Sequence, residues 1–122
     1  MLHEVTDADT AVAMGSGDVP VLGTPRLIAW MEAATVRAAA SLLGPGQTTV
    51  GAAIRVEHRR ATGLGRSVEI TASPPREVGG RLLTFEVSAV DGSGRVVAVG
   101  EIDRVIVDRG RFLEAASRPL LS

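Results

Sequence analysis

The sequence predicts an α+β fold in which an antiparallel sheet wraps around one long helix. Residues 26–43 form an apolar run of good helix formers, flanked by start and stop signals. From residue 50 onward the apolar positions recur with a period of two, which indicates strands. A single apolar helix needs a sheet to bury it, and a curved antiparallel sheet is the simplest cover.

Thr24 and Pro25 mark the beginning of the predicted helix. The threonine hydroxyl can cap the first turn, and proline fits the first position, where its missing N–H costs nothing. Gly-Pro at residues 44–45 ends the helix. Because its interior carries few charges, we expect this helix to be buried on most sides.

The strands are predicted from alternation and turn residues. Counting by two from Val50 places Ile54, Val56 and His58 on one inward face, together with Ala52. Residues 91–94 (DGSG) form a hairpin turn. The other predicted strands, each with its inward residues where they are clear, are residues 2–6, residues 67–72 (Val68 and Ile70), residues 81–90 (Leu83, Phe85, Val87 and Ala89) and residues 95–107.

A short strand, an irregular loop over residues 7–23, a long helix and an antiparallel meander together predict a hot-dog fold. The 122 residues fit one domain, residues 1–122. One helix on one small sheet leaves an edge and a face uncovered, so we expect at least a dimer.

Composition excludes several kinds of function. The net charge is −1 and aromatic residues make up 2% of the chain, which argues against a nucleic-acid partner. Cysteine is absent, and the two histidines, His3 and His58, lack metal-ligand spacing, so we expect neither a metal nor another cofactor. Apolar runs fall far short of the ~20 residues of a membrane span, and residues 1–5 lack a signal-peptide pattern. We therefore expect a cytoplasmic protein without a membrane partner.

Four residues are candidates for chemistry, and each also has a simpler structural explanation. Glu32 lies mid-helix and has no basic neighbour one turn away. It is therefore either a buried carboxylate of a functional site or a residue on a solvent-facing strip of the helix. His58 continues an apolar face, where it is either an acid–base group or a hydrogen-bonded histidine. Thr24 either caps the helix or lies where the helix N-terminus favours negative charge. Gly51 marks either a close approach or a bulge.

Several segments resemble the fluoroacetyl-CoA thioesterase-like family of hot-dog proteins. They are the loop-to-helix segment GSGDVPVLGTP at 15–25, MEAA at 31–34 with Val36 and Arg37, GQTTVG at 46–51 with His58 and Ala61-Thr62, RLLTFEVSA at 81–89, and residues 100–107. The resemblance covers about residues 4–112 and includes the spacing of eight residues from Thr24 to Glu32 and 26 from Glu32 to His58.

The resemblance implies hydrolysis of a short or modified acyl-CoA at a site shared between the subunits of a homodimer. By this resemblance, Thr24 is expected to act as nucleophile or positioner, Glu32 as the carboxylate of the site, and His58 as the general base or acid. The resemblance implies that Gly51 supplies an N–H to the thioester carbonyl. The resemblance also implies that Thr24 and Glu32 face His58 of the other chain.

Three features bear on the substrate. Arg104 is predicted to pair with a carboxylate or with a phosphate of CoA, and structural pairing explains it equally well. Four arginines, at positions 55, 59, 60 and 66, can either meet the CoA phosphates or form a solvated strand face. The loop over residues 7–23 has no aromatic residue, which argues against specificity for a fluorinated acyl group that depends on an aromatic lid.

Two other functions remain open on the sequence alone. The first is a hot-dog protein that binds an acyl-CoA or a hydrophobic ligand without turning it over. The second is a dehydratase acting on an acyl thioester, which is disfavoured because the sequence shows no hydratase-type motif.

Overall fold

The computed structural model describes residues 1–77 and 80–119. Its sheet contains six strands: β1 (Leu2–Glu4), β2 (Gln47–His58), β3 (Ser67–Ala72), β4 (Arg76–Glu77), β5 (Leu82–Asp91) and β6 (Val96–Asp108). Its α-helices are α1 (Ala11–Met14), α2 (Thr24–Ala39) and α3 (Arg109–Ser117), with 3-10 turns at Asp7–Asp9 and Ala40–Leu42. All strand pairs are antiparallel. The sheet packs on α2, which confirms the predicted hot-dog fold.

Helix α2 lies where the sequence predicts it, but its N-terminus is capped differently. Gly23 occupies the cap position, Thr24 is the first helical residue, and no side chain caps the first turn. The predicted capping role of Thr24 is therefore wrong, and its hydroxyl is available for another partner. At the other end the α-helix stops at Ala39 and tightens into a 3-10 turn before Gly44.

The sheet covers only part of the apolar surface of α2. One face is buried in the core through Leu27, Met31, Ala34, Thr35 and Ala39. On the other side, Ala29 is exposed and Val36 is 48% exposed. The expectation of burial on most sides is wrong for the single chain, because the sheet packs against only one face. The described part of the chain leaves the remaining face of α2 uncovered.

The strand order departs from a simple meander. It is β1-β3-β5-β6-β2, with β4 paired to β5 on the side. Strands β3, β5 and β6 follow one another as predicted, whereas β2 crosses to the far side of β6. Among the described residues, β2 therefore has a strand neighbour on one side only. This long strand forms one edge of the sheet.

Alternation correctly predicts the inward faces of β3 and β5. Their residues Val68, Ile70, Leu83, Phe85, Val87 and Ala89 are all buried. The predicted hairpin joins β5 to β6. In it Asp91 Oδ1 accepts hydrogen bonds from the backbone N–H groups of Ser93 and Arg95, and Gly94 has a φ of 81°.

A bulge in β2 divides its inward face into two sets. The pairing with β6 shifts between Gly51 and Ala53, which makes Ala52 an extra residue. Beyond the bulge, Ile54 lies opposite the buried Ile102 and His58 opposite the buried Ala98, so their inward placement is confirmed. Before the bulge, the inward residues are Thr49 and Gly51. The predicted inward placement of Val50 and Ala52 is wrong because counting by two fails across an inserted residue.

Four short elements were not predicted. The segment over residues 7–23, predicted as an irregular loop, contains a 3-10 turn and α1, whose first turn is capped by the Thr10 hydroxyl. Strand β4 and helix α3 were also missed, although Asp108 caps α3 by accepting from the Arg111 N–H. No helix in the described part of the chain is long and apolar enough to cross a membrane.

Candidate functional site

Thr24 and His58 form a hydrogen-bonded pair within one chain. Thr24 Oγ1 lies 2.8 Å from His58 Nδ1. The pair joins the first residue of α2 to the last residue of β2. When Nδ1 is unprotonated the hydroxyl donates to it, and this is the geometry in which an imidazole activates or holds a hydroxyl group. The expectation that Thr24 faces the histidine of the other chain is therefore wrong.

The environment of His58 favours its neutral form. Burial lowers the pKa of the imidazole from its ordinary value of 6.5. An interaction with the backbone of Arg60 raises the pKa by a smaller amount. His58 Nε2 is buried and has no hydrogen-bond partner in the described part of the chain. A neutral ring with one nitrogen on a hydroxyl group can accept a proton at neutral pH.

An open cavity of about 290 Å³ lies against this pair. Its wall combines small and apolar residues with two arginines: Ala11, Ser16, Gly17, Val19, Val21, Leu22, Thr24, His58, Arg59, Arg60 and Ala61. The Thr24 hydroxyl and the His58 imidazole thus line a space that a small ligand can occupy.

Glu32 belongs to a second group of residues, held by a buried arginine. Arg104 is 6% exposed, and its Nη1 lies 3.4 Å from Glu32 Oε2. Its other nitrogens donate to Thr49, with Nε 2.8 Å from the hydroxyl and Nη2 3.1 Å from the carbonyl oxygen. Glu32 is therefore neither an unpaired buried carboxylate nor a fully solvated one. The cation that pairs with Glu32 is Arg104 of β6. The neighbours of Glu32 along the helix could not reveal this partner, because it lies on a different element.

Gly51 lies in contact with this second group. A Cβ atom at Gly51 would stand 2.7 Å from Glu32 Oε2 and 3.7 Å from Arg104 Nη1. The predicted bulge is confirmed beside this glycine, and the group that approaches it closely is the side chain of Glu32. The carboxylate occupies the space that a side chain would fill.

The five predicted site residues therefore fall into two groups in the chain. Gly51 and His58 are seven residues apart on β2, roughly 20 Å at the usual rise of a strand. Thr24 and Glu32 are eight residues apart on α2, or about 12 Å. The structure brings Thr24 to His58 and brings Glu32, Gly51 and Arg104 together. Among the described residues it records no contact between the two groups.

Sequence reasoning missed Thr49, the residue that fixes Arg104. It is buried, and it lies just before Val50, the residue from which the count by two begins. Arg55 also proves to be a structural residue, since it bonds to both oxygens of Asp103 and to Glu101 on the outer face of the sheet.

Known proteins share both the sequence and the fold of this chain. A family model described as fluoroacetyl-CoA-specific thioesterase matches residues 5–110. The fluoroacetyl-CoA thioesterase of Streptantibioticus cattleyicolor is 39% identical over 92 residues, which are 75% of this chain and 65% of that protein. The match thus spans slightly less than two thirds of the curated relative.

Solved structures agree in fold. A variant of the fluoroacetyl-CoA-specific thioesterase FlK, in complex with fluoroacetate and CoA, superposes with a TM-score of 0.86 and 31% identity over 95% of this chain and 94% of that chain. A hot-dog-like protein from Thermanaerovibrio acidaminovorans gives a TM-score of 0.84 at 23% identity, over 95% and 84% of the two chains.

Proposed function

Because the chain belongs to the fluoroacetyl-CoA-specific thioesterase family, we propose that it hydrolyses the thioester of a short or modified acyl-CoA to the free acid and CoA. The observation that carries this proposal is the hydrogen bond of 2.8 Å between Thr24 and His58 at the wall of a cavity. Specificity for fluoroacetyl-CoA is not part of the proposal, since the segment over residues 7–23 has no aromatic residue to close over the acyl group.

The proposed chemistry assigns one role to each member of the pair. His58 accepts a proton from the attacking oxygen, which belongs either to the Thr24 hydroxyl or to a water that Thr24 positions. Attack on the thioester carbonyl forms an oxyanion, and collapse of this intermediate breaks the C–S bond. The protonated imidazole then returns its proton to the leaving thiolate of CoA. If Thr24 is the nucleophile, His58 next accepts a proton from a water that attacks the acyl-Thr24 ester. Cleavage of the C–O bond then releases the free acid, and the proton returns to the Thr24 oxygen.

A homodimer joined along β2 is the second part of the proposal. Strand β2 is 12 residues long and pairs with β6 on one side. It carries Ile54, which is 40% exposed, and the uncovered face of α2 carries Val36. Proteins usually cover a long edge strand, and a two-fold axis lets two identical edges cover each other. We therefore infer antiparallel pairing of β2 with its counterpart in a second copy.

Such pairing would unite the two groups of site residues. In an antiparallel pair around a two-fold axis near Ile54 and Arg55, Gly51 of one protomer lies opposite the partner's His58. The separation of roughly 20 Å along β2 then becomes a contact between chains. We propose that Glu32, Gly51 and Arg104 complete the Thr24–His58 site of the partner, with the Gly51 N–H as the oxyanion donor. Each dimer then has two identical composite sites.

The pH dependence of the reaction follows from the burial of His58. Since burial lowers the pKa of this residue below 6.5, the neutral base persists into mildly acidic solution. We expect kcat/KM to rise with pH along an acidic limb whose midpoint lies below 6.5 and to be level at neutral pH. A pH–rate profile checks this, and the limb should persist in His3→Ala. A midpoint at or above the ordinary histidine value would contradict the assignment.

Gly51→Ala is expected to impair the site without unfolding the protein. The new Cβ would stand 2.7 Å from Glu32 Oε2, so the carboxylate must move. We expect kcat/KM to fall roughly 10- to 100-fold, the usual consequence of misplacing a reacting group by about 1 Å. Gly110→Ala is the matched control, because a Cβ there meets Asp108 Oδ1 at an ordinary 3.6 Å. Activity equal to the wild type, at an unchanged melting temperature, would show that the position of Glu32 is unimportant.

The proposed function is tested by the release of free CoA. A thiol reagent reports this product continuously, and a panel of acetyl-, fluoroacetyl-, propionyl- and longer acyl-CoA substrates covers the proposed range. We expect turnover of at least one short or modified acyl-CoA. If the wild type binds these compounds and hydrolyses none, the chain is a binding protein and the proposed function is wrong.

A further inference from the structure

The cavity beside Thr24 and His58 continues into a surface rich in arginine. Arg59 and Arg60 line this cavity and also line a second one of about 590 Å³, together with Arg95 and Val96. A third cavity of about 510 Å³ includes Arg66 and Arg95 in its wall. The three cavities share lining residues, so they lie next to one another on a surface that begins beside His58. We call this surface the arginine groove.

The backbone of the arginine groove is fixed by hydrogen bonds. The N–H groups of Arg59 and Arg60 both donate to the carbonyl of Val97, at 2.8 and 3.2 Å. Further along, the Leu22 N–H donates to the Thr62 carbonyl at 2.8 Å. The segment after β2 is thus tied both to the start of β6 and to the segment that leads into α2. Its arginines extend from a defined position beside the catalytic pair.

The charges of the groove are poorly compensated in the described part of the chain. Arg59 lies 3.7 Å from Glu57, and both side chains are more than half exposed, so this pair is weak. For Arg60, Arg66 and Arg95 the described residues contain no carboxylate within ion-pair distance. Asp91 also lines the groove, where its Oδ1 accepts from two backbone N–H groups of its own turn. The backbone hydrogen bond from Arg95 lowers the pKa of this carboxyl, and the charges of Arg95 and Arg60 add to the effect, so Asp91 offsets these two arginines in part.

The outer face of the same sheet provides a contrast. There Arg55 bonds to Asp103 and Glu101, and Arg76 also bonds to Glu101. Those arginines have protein partners, whereas the arginines of the groove are available for an anion from solution.

An unpaired polar group lies in the wall of the groove as well. Thr62 is 3% exposed, and its hydroxyl has no hydrogen-bond partner within the described residues. It lines the cavity that contains Arg66 and Arg95. A buried hydroxyl without a partner is uncommon in proteins, and a bound acceptor would satisfy it.

We propose that the arginine groove binds the 3′-phosphate and pyrophosphate of the nucleotide part of CoA. This inference rests on the proposed function, because the thioester must lie at Thr24 and His58 while the nucleotide lies along the groove. Several guanidinium groups spread over neighbouring cavities suit a ligand with several phosphates. The single phosphate of a carrier-protein phosphopantetheine arm would leave most of them without a partner.

The test compares one acyl group on a series of thiols. Acyl-CoA, acyl-dephospho-CoA, acyl-phosphopantetheine and acyl-pantetheine remove the phosphates stepwise and keep the reacting bond. For the double variant Arg66→Gln/Arg95→Gln, whose residues lie in the groove but outside the wall of the catalytic cavity, we expect KM for acyl-CoA to rise about tenfold with little change in kcat. Its kinetics with acyl-pantetheine should match those of the wild type. Arg111→Gln replaces an exposed arginine on α3 and is the matched control. It should leave kcat and KM unchanged for both substrates. In the wild type, added salt should reduce the advantage of acyl-CoA.

The outcomes separate this inference from the proposed function. If the double variant keeps the full preference for acyl-CoA over acyl-pantetheine, the groove does not bind the phosphates. If acyl-phosphopantetheine recovers the whole preference, the nucleotide is not the ligand and the inference is wrong. If the wild type hydrolyses none of the series, the proposed function fails. Calorimetric titration with CoA then decides about the groove, and we expect about tenfold weaker binding to the double variant than to Arg111→Gln.

Discussion

His58→Ala is expected to lower kcat/KM for acyl-CoA by at least about 10²-fold, the usual effect of removing a catalytic acid–base group. The imidazole is the group that can take the proton of the attacking oxygen, and it lies 2.8 Å from the Thr24 hydroxyl. Thr24→Ala removes the other half of the pair and should also cause a large loss. Release of free CoA measures both effects, with melting temperatures to verify that the variants fold.

The chain provides a matched control for this substitution. His3 is also partly buried, and its ring stacks on Trp30 with centroids 4.3 Å apart. His3→Ala removes the same kind of side chain from a position outside the proposed site, so it should keep the rate of the wild type. If His58→Ala is as active as His3→Ala, the Thr24–His58 pair is not the catalytic centre.

Alternation and turn chemistry were sufficient to predict most of the fold. Strand β5 was predicted to within a residue at each end because Phe85 and its inward neighbours alternate without interruption before the hairpin at Asp91. Helix α2 was predicted because Thr24-Pro25 marks its beginning and Gly44-Pro45 ends the run of helix formers that follows. Long elements with one continuous pattern are those that local sequence determines best.

The errors have identifiable physical causes. The inserted Ala52 reverses the inward count in β2, and a bulge leaves little signal in a single sequence. The crossing of β2 to β6 depends on long-range pairing, which periodicity does not encode. Helix α3 has no buried residue, so the pattern of apolar positions could not reveal it, although the capping residue Asp108 could have.

The candidate site was less predictable than the fold. Thr24 and His58 are 34 residues apart, and the family resemblance, rather than their spacing, suggested that they act together. Sequence reasoning considered the Thr24 hydroxyl as a helix cap, but Gly23 takes the cap position and the hydroxyl pairs with the imidazole. The division of the site into two groups depends on the path of β2 and is visible only in the folded chain.

Two inactive variants are expected to restore activity when they form a mixed dimer. His58→Ala inactivates the Thr24–His58 pair of its own chain, and Glu32→Ala inactivates the contribution made to the partner. In a dimer with one chain of each kind, one composite site has both defects and the other has none. Coexpression with two different affinity tags and tandem purification isolates this dimer. We expect it to have about half of the wild-type rate, although each parent variant retains about 1% or less.

The reciprocal pairing distinguishes a shared site from a site within one chain. When the double variant His58→Ala/Glu32→Ala is paired with the wild type, every composite site has one defect, so we expect a rate close to that of the single variants. If the site were contained in one chain, this dimer would keep about half of the activity and the mixed dimer of single variants would be inactive. Failure to isolate any mixed dimer would contradict the proposed assembly through β2. The two tagged dimers therefore test, in one measurement, whether the roughly 20 Å between Gly51 and His58 is closed by a second copy of the chain.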